Sequence, residues 1–597
     1  MLRRIDPAFG VQIDPESLRA RVDERLGFTG TVLPPTLQPR RPWLAAAAAF
    51  AIVLAIFIPV ILNRRGNTTT NFTIDQALYG LPGVEAVVHE SGGGGVRTIA
   101  VDGETMWVTS ALARQLVRID VPTNLVEETY AIDAYVEGVV VGGGYLWLLS
   151  YDNGGEVLRF DPEAGVVDRA ISLGAPPGGV KWYADRLWAS NQDGQLLQIS
   201  VDGEILSTDS GELKGLAFGA LWVIDPETRV MRDYTADGPG DVAIPTEGIS
   251  IREVIDGGGY LWLLEDDLSA IGSVHRYEPD GTDPLSVRVG FGAHDMVEFG
   301  NSIWVSALWD ETITRLDSTT GEVLTVTPLP GRTGAMASAG GSLWVSLYQP
   351  GLLVRLDPTA ELIELGGVVV DEVVDGYRFF CTGSGDGPTI LLDPEWWIGP
   401  GSWSVIQAEL SSHALVCSHG SVDDRDSEAK VANLRRALDE FGIAGPYLLV
   451  AHGTGVASTR LFAEESTDVA GVVLVDPVAV GFAELLESLL PETASPTFGL
   501  DDLDLGDLGD IPLMVIGHDL TVSFLDEAFD ENTGAAPGSG ARLGGAWREG
   551  LSYYEGLSTS ARSITVSGSS HSLLWDRPDT IVAAVLDLIG VETARPG

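Results

Sequence analysis

Gly340-Gly341-Ser342-Leu343-Trp344 is a glycine turn running into an apolar–Trp pair, the last of seven such pairs in the chain. They are Met106-Trp107, Leu146-Trp147, Leu187-Trp188, Leu221-Trp222, Leu261-Trp262, Ile303-Trp304 and Leu343-Trp344, at spacings of 40, 41, 34, 40, 42 and 40 residues. Most follow a Gly- or Asp-containing turn, as in Gly142-Gly143-Gly144-Tyr145. Several lead to a second strand ending basic–apolar–Asp: Val117-Arg118-Ile119-Asp120, Leu158-Arg159-Phe160-Asp161, Thr314-Arg315-Leu316-Asp317 and Val354-Arg355-Leu356-Asp357. A turn and a third strand follow, as in Thr320-Gly321-Glu322-Val323-Leu324-Thr325-Val326. Short strands joined by glycine turns and repeated about every 40 residues specify a β-propeller, because each small sheet must cover its faces against its neighbours. Seven units predict seven blades over 84–366, each Trp filling the gap between two blades. Strands within 84–106 are expected to close the ring against the last unit.

This repeat is similar to the extracellular propellers of the YVTN and virginiamycin B lyase-like type. The resemblance implies a ring that binds a protein, a sugar or a small molecule at its central mouth. It also leaves open a lyase or sugar-binding enzyme acting there. His294, in Gly292-Ala293-His294-Asp295, is a candidate to line that mouth, against the simpler reading of a solvated loop histidine.

Beyond residue 368 strands and helices alternate, which predicts a doubly wound, mostly parallel α/β sheet over 367–597. Within it, Leu448-Leu449-Val450-Ala451-His452-Gly453-Thr454-Gly455 is an apolar strand entering a tight turn and then a helix. That is the setting of a nucleophile elbow, small-x-Ser-x-small. Ala451 and Gly455 fill the small positions, and Gly453, which has no oxygen, stands at the nucleophile position.

Three stretches resemble α/β-hydrolases: Gly445-Pro446-Tyr447-Leu448-Leu449-Val450-Ala451-His452, Val469-Ala470-Gly471-Val472-Val473-Leu474-Val475-Asp476-Pro477, and 568–578 around His571. The resemblance spans about 372–590 and implies an α/β-hydrolase fold. It assigns His571 to the general base and leaves Asp476 and Asp519 as rival acids to orient it. Thr454 cannot step in as nucleophile, because the shifted register puts His452 and Val456 at positions that must be small. The turn that should supply the oxyanion site reads Asp393-Pro394-Glu395-Trp396-Trp397. Pro394 has no N–H, and Asp393 and Glu395 carry the wrong sign for an oxyanion. The Asp-Arg pair expected after the next strand is replaced by Ser418-His419-Gly420-Ser421. Losing such a nucleophile costs on the order of 10⁶ in turnover. The domain is therefore expected to be a pseudohydrolase whose pocket, lined by Asp393, Trp396, Trp397 and Thr454, holds a ligand without cleaving it. The rival reading is an active ester or amide hydrolase with a non-standard nucleophile.

Composition bounds the rest. The net charge is −49, with +4 on residues 1–65 and −53 beyond, so nucleic acid is excluded as a partner. Trp43 to Leu62 is an uncharged stretch of 20 residues between Arg40-Arg41 and Arg64-Arg65. That length matches a transmembrane helix. The expected order is a cytoplasmic segment 1–42, a span 43–62 and a linker 63–83, in a single-pass plasma-membrane protein with its bulk outside the cytoplasm. Cys381 and Cys417, both in predicted strands, are expected to form a disulfide. Asp501–Asp510 lacks the closing Glu of a calcium loop, and Thr533–Gly545 reads as disordered. No zinc pattern, phosphate loop or dinucleotide fingerprint occurs, so no metal and no cofactor are expected.

Overall fold

The computed structural model describes Arg4–Ile5, Gln12–Ile13 and most of 78–591; its longest omissions inside that range are 489–506 and 519–537. Seven four-stranded antiparallel units form the predicted ring. The first is built from Val96–Asp102, Thr105–Ser110, Gln115–Asp120 and Leu125–Ala131. The last takes Thr333–Ala339, Ser342–Leu347 and Leu352–Leu356 from its own repeat. Its outer strand is Val84–His89, from the opposite end of the ring, paired antiparallel with Leu352–Leu356. Closure thus depends on a strand that precedes the first repeat. The fourth and fifth units touch through one parallel pair, Gly215 with Val254. A Cβ at Gly215 would strike the Val254 carbonyl, so only glycine permits that approach.

The repeat signature has a physical reading. Each Trp is buried and packs on the apolar residues of the following unit: Trp107 on Leu146 and Leu148, Trp262 on Ile303 and Val305, Trp344 on Met106 and Val108. Five indoles, Trp147, Trp222, Trp262, Trp304 and Trp344, donate to the carbonyl five residues earlier. The Arg of the basic–apolar–Asp motif sits directly across from the Trp, as Arg118 does from Trp107 and Arg355 from Trp344. Its guanidinium reaches on to a carbonyl of the next unit: Arg315 Nη1 to Pro358 O at 3.3 Å, Arg355 Nη1 to Val121 O at 3.1 Å. The Asp caps the following turn, Asp317 Oδ1 accepting from the amides of Thr319 and Thr320. One motif therefore staples the blades and sets the turns.

The C-terminal part is an eight-stranded sheet. Its strands are β1 (Val368–Val374), β2 (Tyr377–Thr382), β3 (Thr389–Asp393), β4 (Val416–Gly420), β5 (Tyr447–His452), β6 (Val469–Val475), β7 (Leu513–His518) and β8 (Ala561–Val566). The order is β1-β2-β4-β3-β5-β6-β7-β8, with β2 antiparallel to its neighbours and every pair from β4 to β8 parallel. Among the described residues the flanking helices are α1 (Ser404–Leu410), α2 (Ser427–Glu440), α3 (Val456–Glu465), α4 (Ser539–Glu555), α5 (Leu573–Asp576) and α6 (Pro578–Leu588). Cys381 and Cys417 face each other across β2 and β4 and are disulfide-bonded, as expected. A single apolar cluster runs from Trp304 and Leu343 of the ring to Ile390, Trp403 and Ile581 of the sheet. Trp575 Nε1 donates to Glu311 Oε2 at 2.9 Å, and Arg378 pairs with Asp310, across the same boundary.

Two expectations need correction. The single-pass plasma-membrane placement is overturned: among the described residues no helix is long and apolar enough to cross a membrane. The stretch 43–62 on which it rested lies outside the described residues. The glycine-rich stretch 533–545 was expected to be disordered, yet α4 starts at Ser539. Leu543, Trp547 and Tyr554 are all buried at helical spacing, so tertiary burial outweighs the weak local propensity.

Candidate functional site

β5 runs directly into a 3-10 turn, Gly453–Gly455, and then α3. Gly453 has φ +53°, where any side chain is strained. A Cβ built on it would fall on Oε1 of Glu395. Glu395 comes from the turn after β3 and is buried. The space that a side chain at 453 would fill is therefore taken by a carboxylate from another element.

Two histidines stand against that carboxylate, and an aspartate and a third histidine continue the network from one of them. His571, in the loop after β8, has Nε2 at 3.0 Å from Glu395 Oε1 and Nδ1 at 2.6 Å from Asp476 Oδ2. Asp476 follows β6 and is fully buried. It also faces His518 Nδ1, 2.9 Å from each of its oxygens, and accepts from Trp547 Nε1 at 3.2 Å. His452, the last residue of β5, donates through Nε2 to the His571 carbonyl at 2.9 Å. Its Nδ1 stands 3.8 Å from Glu395 Oε2. The Thr454 amide donates to Glu395 Oε1 at 3.3 Å. The Trp547 ring stands edge-on to His571, centroids 4.9 Å apart, and helps close the site.

The charges are set by this enclosure. Burial alone would lower the His571 pKa, but Glu395 and Asp476 on its two sides outweigh it and raise it to about 10. Burial would raise Asp476; the charges of and hydrogen bonds from His518 and His571 reverse this and hold it below the usual carboxylate range. Burial keeps His452 below its usual value.

Of the residues singled out from sequence, His571 and Asp476 are brought together, and Thr454 contributes its backbone N–H. Asp393 lies elsewhere: it pairs with Lys430 on α2 and accepts from Ser458 at 2.6 Å and Thr459 at 3.2 Å on α3. It braces two helices. Asp519, Trp396 and Trp397 lie outside the described residues. Sequence reasoning missed Glu395 as a partner of His571, together with His452, His518 and Trp547. The carboxylate in the turn after β3, opposite Gly453, was the one usable signal. His518 ends β7, one residue before Asp519.

The inner strands of the ring form a second candidate site. In each innermost strand the pairing register slips once, and the skipped position holds Arg97, Glu137, Lys214, Arg252 or His294 in five of the seven units. Arg97 reaches across blades, to Tyr348 Oη at 3.2 Å and toward Glu137 at 3.6 Å. Asp295 accepts from the Met296 and Met336 amides, and burial with the nearby Glu253 pushes its carboxyl well above the usual range.

No family model and no curated protein matches the chain. Among solved structures it is similar to hydrazine synthase of Kuenenia stuttgartiensis: 13% identity, 45% of this chain and 97% of that one covered, TM-score 0.37. It is similar to BamB from Moraxella catarrhalis (12% identity, 44% and 83% covered, TM-score 0.33). It is also similar to the β-propeller domain of Cps50 from Myceliophteria thermophila (12% identity, 47% and 100% covered, TM-score 0.38). The strand order of the ring itself makes this a β-propeller protein; these likenesses carry no reading of function.

Proposed function

We propose that the chain is a binding or scaffold protein in which a propeller (84–366) is joined to a catalytically degenerate domain of α/β-hydrolase type (367–597). The family reading is supported by the strand–turn–helix at Gly453 and by the chain order elbow, Asp476, His571. One observation carries the loss of catalysis. Glu395 Oε1 takes the space of a side chain at 453 and also takes the Thr454 N–H, the donor that an oxyanion would need. Nucleophile space and oxyanion donor are filled by one carboxylate. Ligand binding then falls to the charged mouth of the ring, which suits a small polar molecule, a sugar or a protein loop.

Purified protein should show no turnover of activated short-chain esters beyond that of a His571→Ala variant. A fluorophosphonate probe should leave Thr454 unlabelled. Turnover abolished by His571→Ala would overturn the proposal.

A second reading has one observation in its favour. The oxygen beside His571 belongs to a carboxylate, and carboxylates serve as nucleophiles in some hydrolases. Ester turnover lost in Glu395→Gln but kept in Thr454→Val would support it.

A further inference from the structure

We propose that Glu395, His452 and His571 bind one divalent transition-metal cation of the zinc type. The three offer ligand atoms that all lie within 4.8 Å of one another, and all are buried. The proposal deepens the reading above: it rests on a nucleophile position emptied of its own side chain and entered by Glu395.

The hydrogen bonding decides which atoms converge. Asp476 holds Nδ1 of His571, so Nε2 is the atom turned to Glu395; the proton that Nε2 shares with Glu395 leaves to solvent as the ion enters, so uptake weakens as pH falls. His452 Nε2 meets a backbone carbonyl, which can only accept, so that nitrogen carries the proton. Its Nδ1 is then a lone pair, buried, with no hydrogen-bond partner among the described residues. That lone pair stands 3.8 Å from a carboxylate oxygen. Two acceptors facing each other in a buried site repel; a cation between them turns the repulsion into attraction.

The outer contacts suit such an ion. A tetrahedral ion with bonds of ~2.0–2.1 Å sets its ligand atoms roughly 3.3 Å apart. The Nε2–Oε1 and Nδ1–Oε2 separations, 3.0 and 3.8 Å, run to different oxygens of Glu395, and the full set spreads over 4.8 Å, so the three side chains draw in around the ion. Both imidazoles have their far nitrogen fixed, one by a carboxylate and one by a carbonyl, which is how metal-bound histidines are oriented. Two imidazoles and a carboxylate suit Zn²⁺. The ligands come from the turn after β3, the end of β5 and the loop after β8, so the ion ties three elements together.

The test uses the full chain, stripped with a chelator and titrated with Zn²⁺ by calorimetry. One equivalent should bind, and the thermal midpoint should rise with Zn²⁺ concentration. Co²⁺ should give visible d–d absorption. His452→Gln, with its fold checked by circular dichroism, should lose the equivalent. Asp476→Asn should weaken binding by about 10- to 100-fold. A folded, stripped wild type that takes up no equivalent overturns the proposal, whether or not the variants fold. So does an equivalent retained in both His452→Gln and Glu395→Gln, which would mark adventitious binding at an exposed histidine such as His413. Ester turnover plays no part in these readouts, so the site and the loss of catalysis can fail separately.

Discussion

Glu395 and Gly453 share one volume: the carboxylate of the first stands where the side chain of any other residue at the second would have to go. The two positions should therefore be coupled. Gly453→Ser alone must displace Glu395 from His571 and place a non-glycine residue at φ +53°. The backbone strain alone costs about 1–3 kcal/mol. Combining it with Glu395→Ala should recover part of the loss, with a coupling of about 0.5–3 kcal/mol between contacting sites. Denaturant unfolding of the two single variants and the double variant checks this. Strict additivity would mean that the two residues do not compete.

Ring closure has its own clasp. Arg355 lies across from Trp344 and bonds Val121 O, Asn124 Oδ1 at 2.9 Å and Glu85 Oε2 at 2.9 Å. It thus joins the last repeat, the first repeat and the strand that precedes both. Arg355→Ala should destabilise by about 1–3 kcal/mol, since it strips several partners at once. Lys should not rescue it, because one ammonium cannot reproduce the fork. Arg118→Ala, at a more exposed copy of the motif, should cost less. Thermal midpoints of the three variants rank them.

The propeller was legible because its code is local and repeated. Trp, its facing Arg and the turn-capping Asp lie within about one repeat of one another, and each copy reports the same geometry. The apolar runs of β5 and β6 were equally plain, being buried parallel strands with little alternation. The cluster around Glu395 was not legible. His452 and His571 stand 119 residues apart, and Glu395 and His571 176 apart, so only the sheet order brings them together. Sequence reading saw Glu395 as a charge spoiling an oxyanion turn, not as a group filling the neighbouring gap. In α4, glycine-rich composition hid the spacing of Leu543 and Trp547, and local propensity yielded to burial.

The disulfide should be a measurable part of the sheet's stability. Cys381 and Cys417 are buried and 36 residues apart in sequence. Closing a loop of that length in the unfolded chain is worth at most about 4 kcal/mol in the chain-entropy model. Cys381→Ala combined with Cys417→Ala should lower stability by up to that amount. Reduction of the wild type should approach the same value in denaturant titrations. An unchanged unfolding midpoint on reduction would show that the bond contributes nothing.

Glu311 makes the contact between ring and sheet depend on pH. It accepts from Trp575 on α5, faces Arg332, and lies beside the Asp310–Arg378 pair. Burial raises its pKa from 4.5 to about 8, against the Trp575 hydrogen bond and the Arg332 charge. The folded state therefore holds a proton that the unfolded state gives up above about pH 4.5. This stabilisation is complete below that pH and is lost as pH rises through about 8. Its slope is at most about 1.4 kcal/mol per pH unit. Glu311→Gln keeps an acceptor for Trp575 and removes the titration. Wild type should lose stability relative to that variant between pH 5 and 8.5 in denaturant unfolding, and parallel pH profiles for the two proteins would refute the assignment.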